Sequence, residues 1–178
     1  VVDLSKLCLP AMQKANESYA ALASRPVHSP RPTKHICILT CMDARLDLFR
    51  ALGLWQGDAH ILRNAGGRAS TDAIRSLVLS AHHLGTREFG LIHHTNCGLY
   101  QVTNEQLRDT VRQATGGDAG HIDFLPFHDL EASVREDVEA IRTCGLLPHD
   151  GVVWGATFDV DEGTLHVIVP PTPLAPTG

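Results

Sequence analysis

The chain has 178 residues, 43% hydrophobic and 20% charged, which is enough for one domain with a sizeable core and is unlike a disordered chain. No apolar run reaches the roughly 18 residues that a membrane span needs, and a formal net charge of −5 without a basic block argues against nucleic acid or an anionic membrane as partner. The five cysteines (8, 37, 41, 97 and 144) are an odd set, unlike a secreted disulfide framework, and Val1 to Pro10 lacks the basic start and apolar stretch of a signal peptide, so reduced thiols and a cytoplasmic location are expected.

In chain order, Leu4 to Leu22 has apolar residues near helical spacing and predicts a helical arm over residues 1–24. The proline-rich stretch 25–34 breaks it and reads as a linker. A core follows over 35–169. "HICILTC" predicts a short buried strand, and "AHILRN" a second, leading into "AGGRAS". Thr71 to Leu84 predicts a helix that stops at Gly85. "EFGLIHH" predicts a third strand. Thr103 as cap, Gln106 three residues on and Gly116 at the exit frame a second core helix. Ser133 to Thr143 predicts another. "GVVWGATFDVDEGTLHVIV" predicts two strands around a tight Asp-Glu-Gly turn, and the proline-rich tail 170–178 is expected to fray or lie on the surface.

Strands alternating with helices imply an α/β domain: a mainly parallel sheet covered on both faces, flanked by helices. Sites in such sheets form beyond the carboxyl ends of the strands. Cys41 ends the first strand and "HHTNCG" ends the third, so two distant motifs are expected to meet there. The spacing of His94 and Cys97 brings both to one side of a turn. With Cys41 they make a mixed nitrogen and sulfur set that favours zinc over magnesium or calcium, and three protein ligands leave one position open for chemistry. Cys37, four residues earlier on the same strand, lies about 13 Å from Cys41 at strand rise and reads as a core thiol. His93 points to the opposite face from His94. A cysteine phosphatase loop needs Cys and Arg six apart, whereas Cys41 and Arg45 are four apart, and no Gly-x-Ser-x-Gly elbow occurs.

The two signatures, "CMDAR" (Cys41 to Arg45) and "HHTNCG" (His93 to Gly98), together with "ILRNAGG" (Ile61 to Gly67), resemble those of the β-class carbonic anhydrases. The resemblance spans most of Leu4 to Val169. It implies a Zn²⁺ held by Cys41, His94 and Cys97, and hydration of CO2 to bicarbonate. Hydrolases of carbonyl sulfide or carbon disulfide share the same signatures and are the alternative. A zinc-stabilised module without catalysis is a third possibility. Asp43 would accept a hydrogen bond from the attacking water, with Arg45 holding it ionised and away from the metal. Family members differ in whether this Asp sits on or off the zinc, and the sequence leaves both states open. Gly66 and Gly67 would form one wall for the small linear gas. Backbone N–H groups near Gly98, where a helix is expected to begin, would steady developing oxygen charge. Leu99, with Leu46 and Val102, would supply an aliphatic lining. His60, His93 and His128 are candidates for proton export. The family often carries Asp before its second cysteine; this chain has Asn96. The resemblance also implies a homodimer, or a higher oligomer built of dimers, with the arm lying across a neighbour.

Overall fold

A computed structural model describes residues 7–22 and 29–175. Helix α1 (Leu9–Leu22) carries Pro10 in its first turn, where a missing N–H leaves no hydrogen bond unmade. Its expected start at Leu4 lies outside the described residues, as do linker residues 25–28. Every described side chain from Leu9 to Ala21 is exposed.

The core sheet contains β1 (Ile36–Cys41), β2 (Ala59–Asn64), β3 (Glu88–His94), β4 (Val152–Phe158) and β5 (Leu165–Pro173), in spatial order β2-β1-β3-β4-β5. The first four are parallel, and β5 runs antiparallel to β4 at one edge. The chain leaves β1 for β2 on one side, then crosses to β3 on the other. This reversal opens a crevice between the carboxyl ends of β1 and β3, where α/β sheets place their sites.

One sheet face is covered by α3 (Thr71–His82) and α5 (Leu130–Thr143). Leu77, Ala81, Val134, Val138 and Ile141 pack there on Cys37, Leu39, Phe89, Leu91 and Val153. Gly155 makes this contact possible: a Cβ there would stand 2.5 Å from Val134 Cγ1 and 2.6 Å from Val138 Cγ2. The other face is covered mainly by connecting segments and the short helix α2 (Leu48–Ala51), through Leu46, Leu48, Leu99 and Phe127 against Ile38, Ile92 and Phe158. Helix α4 (Asn104–Thr115) has no buried residue; it forms where the sequence placed it, with the Thr103–Gln106 capping box complete and Gly116 left-handed at the exit.

Three boundaries differ from expectation. Helix α5 starts at Leu130 rather than Ser133, because Asp129 caps it by accepting from the Ala132 N–H. Helix α3 stops at His82, two residues before Leu84. The tail does not fray at Pro170. Strand β5 continues through Pro173, pairing Pro173 with Val152 and Thr172 with Val153, and Leu174 is buried. An edge strand tolerates proline because one row of its backbone groups has no neighbour to serve.

Candidate metal centre

Cys41 is the last residue of β1, His94 the last of β3, and Cys97 lies three residues further on. Thr40 locks the two strands together just below, its hydroxyl donating to the Ile92 carbonyl at 2.7 Å. All three candidate ligands are buried, and their donor atoms lie within 4.8 Å of one another. Nδ1 of His94 bonds the Thr95 carbonyl at 2.8 Å. A carbonyl only accepts, so Nδ1 carries a proton, and the neutral ring has its lone pair on Nε2. That Nε2 is buried and has no hydrogen-bond partner. An unpartnered buried nitrogen facing two sulfurs is a mixed donor set that fits zinc.

The two sulfurs are not equivalent. Cys41 is held well below the usual thiol range, chiefly because Cys97 donates to it, with help from His94 and from the Asp43 and Gly66 N–H groups, against burial. Cys97 is pushed up by the same contact and by burial. Burial pulls His94 down, but contact with Cys41 outweighs it and the net direction is up. A cation entering this triangle takes over the work of shared protons.

Asp43 and Arg45 stand beside it. Arg45 Nε donates to Oδ1 at 2.9 Å and Nη2 to Oδ2 at 2.7 Å, and the Arg45 backbone N–H adds a third bond to Oδ1 at 2.9 Å. These bonds hold the Asp43 carboxyl far below the ordinary carboxylate range. Oδ2 remains 3.8 Å from His94 Nε2. Arg45 also donates to the Asn96 carbonyl at 3.0 Å. Asn96 itself takes φ +55°, a conformation Asn tolerates, and its side chain reaches Asp161.

A cavity of about 280 Å³ opens onto these groups, lined by Cys41, Met42, Asp43, Ala65, Gly66, Cys97, Gly98 and Leu99. Gly66, Gly98 and Leu99 are among the lining residues. Gly67 is not: its place is against the β1 backbone, where a Cβ would stand 2.9 Å from Cys41 N, and its carbonyl faces His93. Leu46 is buried in the core and Val102 does not line the cavity. No helix begins at Gly98, since α4 starts only at Asn104. Cys37 is a core thiol whose burial pushes it up to about 11. Of the histidines considered for proton export, His93 is fully buried. His60 sits at the start of β2, the far end from the site, with its nitrogens on Ser80 and the Pro30 carbonyl.

Two arginines escaped the sequence reading. Arg63, on β2, donates to the carbonyls of Cys41, Asp43 and Leu46 and so shapes the loop carrying Asp43. Arg68, just after the glycine turn, is buried against Asp137 of α5. Both bracket "NAGG" in the sequence, but their partners lie 17 to 69 residues away and nothing local marks them.

A profile of the carbonic anhydrase family matches residues 36–165. The chain belongs to the β-carbonic anhydrase family. Beta-carbonic anhydrase 1 of Mycobacterium tuberculosis is 38% identical over 157 residues, 87% of this chain and 94% of that protein. A carbonic anhydrase from Streptococcus mutans superposes with a TM-score of 0.87 at 43% identity, covering 94% of this chain and 99% of that one. A carbon disulfide hydrolase from an Acidianus strain is 40% identical over 176 residues, 86% of this chain and 85% of the other.

Proposed function

We propose that this β-carbonic anhydrase family member hydrates CO2 to bicarbonate with a zinc ion held by Cys41, His94 and Cys97. The observation that carries the reading is the free Nε2 of His94 facing two sulfurs, beside a carboxylate that Arg45 holds. Bound zinc supplies Lewis acidity, bringing the pKa of water near neutrality so that a nucleophile exists at working pH. The remaining work falls to the chain. His94, oriented by Thr95, and the two cysteines fix the ion's position. Asp43 accepts a hydrogen bond from the attacking water and turns its lone pair toward the carbon. Arg45 keeps Asp43 ionised with both oxygens occupied, so the carboxylate is held back from the donor triangle. Ala65, Gly66, Gly98 and Leu99 confine a small linear molecule against these groups.

The same parts suit carbonyl sulfide or carbon disulfide, and the 40% identical carbon disulfide hydrolase supports this second reading. Stopped-flow CO2 hydration measured beside sulfide release from carbonyl sulfide, on protein with assayed zinc, separates the two. Fast hydration is expected. Protein that is quick on carbonyl sulfide and nearly inert on CO2 replaces the first reading with the second. A non-catalytic module needs a closed four-ligand site, hence Asp43 on the ion at every pH; the threefold clamp from Arg45 speaks against it.

The assembly is proposed as a homodimer, or a larger form built of dimers, with α1 lying across a second copy. Its support is the exposure of Leu9, Met12 and Tyr19 along the helix. No described helix is long and apolar enough to cross a membrane. The described cysteines are all unpaired, which supports a reducing, cytoplasmic setting.

A further inference from the structure

Behind the cavity wall lies a buried cluster that the chemistry above does not use. Arg68 Nε donates to Asp137 Oδ2 at 2.8 Å and Nη2 to Oδ1 at 3.2 Å. The Ala69 N–H adds a bond to the same carboxylate at 3.1 Å, and Arg68 Nη1 reaches the Leu125 carbonyl at 3.1 Å. The guanidinium lies 5.7 Å from the centre of the Phe127 ring. Phe127 in turn donates its N–H to the Leu99 carbonyl at 3.1 Å. One ion pair thus ties together the glycine turn, helix α5 and the segment that carries Leu99.

The geometry at Gly66 shows where this leads. A Cβ placed there would stand 2.7 Å from Leu99 Cδ1 and 3.2 and 3.6 Å from Arg68 Cγ and Cδ. The space that a side chain at position 66 would take is therefore shared by the Leu99 methyl and the Arg68 stem, and both Gly66 and Leu99 line the cavity. The stem reaches the wall at this point, and its tip is anchored in a position nearly closed to water.

We propose that Arg68, anchored by Asp137, is a positioning residue that holds Leu99 in the cavity wall at Gly66 and thereby sets the preference for CO2 over its sulfur analogues. The inference rests on the hydration reading above. Sulfur is larger than oxygen and its bonds to carbon are longer, so a linear substrate containing it needs a wider slot. Selection by an apolar wall amounts to about 10- to 200-fold per methylene-sized change, within reach of a small displacement of Leu99.

The test compares kcat/KM for CO2 and for carbonyl sulfide in the zinc-loaded parent, in Arg68→Lys and in Asp137→Asn, with zinc content and melting temperature alongside. Arg68→Lys keeps a charge for Asp137 but loses the fork to its carboxylate, the bond to the Leu125 carbonyl and the contact over the Phe127 ring. Leu99→Val, which leaves the ion pair alone, opens the same wall directly and serves if the buried variants fold poorly. The expected result is a CO2-to-carbonyl-sulfide ratio lowered about tenfold in each variant at unchanged zinc content. Equal losses on both substrates, or an unmoved ratio with Leu99→Val included, overturn the proposal. A fully zinc-loaded parent inert on both gases overturns the functional reading and takes this proposal with it, an outcome distinct from an active parent whose ratio does not move.

Discussion

Two Asp–Arg pairs flank the cavity, alike in geometry and opposite in setting. In Asp43–Arg45 the partners are two residues apart and the side chains are 18% and 48% exposed. In Arg68–Asp137 they are 69 residues apart and both are 9% exposed. The first pair is local, built within one loop, with the Arg45 side partly open to water. The second joins distant elements inside the protein. Its charges cannot be separated without stranding one of them where water does not reach. Burial alone opposes the charge on Asp137, yet the contacts with His93 and Arg68 outweigh it and hold the carboxyl below its usual range. A fork of hydrogen bonds therefore does not reveal what a pair is for; on the roles proposed above, solvent access separates a tool that handles the substrate from a brace that holds a wall.

The hardest blow to the centre that both pairs serve is removal of a ligand. Cys41→Ser or His94→Ala should lose zinc and at least 10³-fold in activity together, measured by metal analysis and stopped flow. The next contrast sets the pairs against each other. Asp43→Ala should keep its zinc and its melting temperature while turnover falls about 10²- to 10⁴-fold. Normal turnover in that variant would falsify the role given to Asp43. Asp137→Ala should instead cost about 3–5 kcal/mol by removing the buried partner of Arg68 and leaving it only the exposed Glu136 at 3.6 Å, a fall of about 10 °C in Tm. If both variants melt alike, the distinction between tool and brace fails.

Acid sharpens the same contrast. Asp137 has a folded pKa below its unfolded value of about 3.9, so its stabilisation is complete above that pH and disappears as pH falls through the folded pKa. Asp137→Asn should melt lower than the parent at pH 7, with a shallower further loss between about pH 4 and 2. Metal loading has the same sign at higher pH: Cys97 holds its proton tightly and must release it, so zinc affinity should rise with pH through neutrality. The smallest effect is expected furthest from the cavity. Deleting residues 1–24 should halve the mass in solution while metal content stays put, and an unchanged oligomer would remove the arm from the assembly.

What could be read in advance follows the same line between local and distant. Cys41, Asp43 and Arg45 sit within five consecutive residues, and His94 and Cys97 within four, so their spacing announced a donor set before any fold was known. The strand-helix alternation announced the parallel sheet, and Thr103 with Gln106 announced the start of α4. Hidden were the residues whose meaning lies in a partner elsewhere. Arg63 reads as an ordinary strand residue until the loop from Cys41 to Leu46 folds over it. Arg68 and Asp137 belong to segments that meet only once α5 lies on the sheet. Gly67 looked like cavity wall because Gly66 is one, yet adjacent residues in a tight turn face different neighbours, and Gly67 meets β1. Prolines near the end of the chain suggested fraying because composition cannot say that β4 offers an edge to pair with.

The bond from the His94 ring to the Thr95 carbonyl has a consequence for which ions compete. Cys41 ends a strand paired with β2 and His94 one paired with β4, and the Thr95 carbonyl fixes which edge of the imidazole turns toward the sulfurs, so the chain itself aims the donors. By affinity alone such a nitrogen and sulfur socket ranks copper above zinc, so which ion arrives is decided by supply.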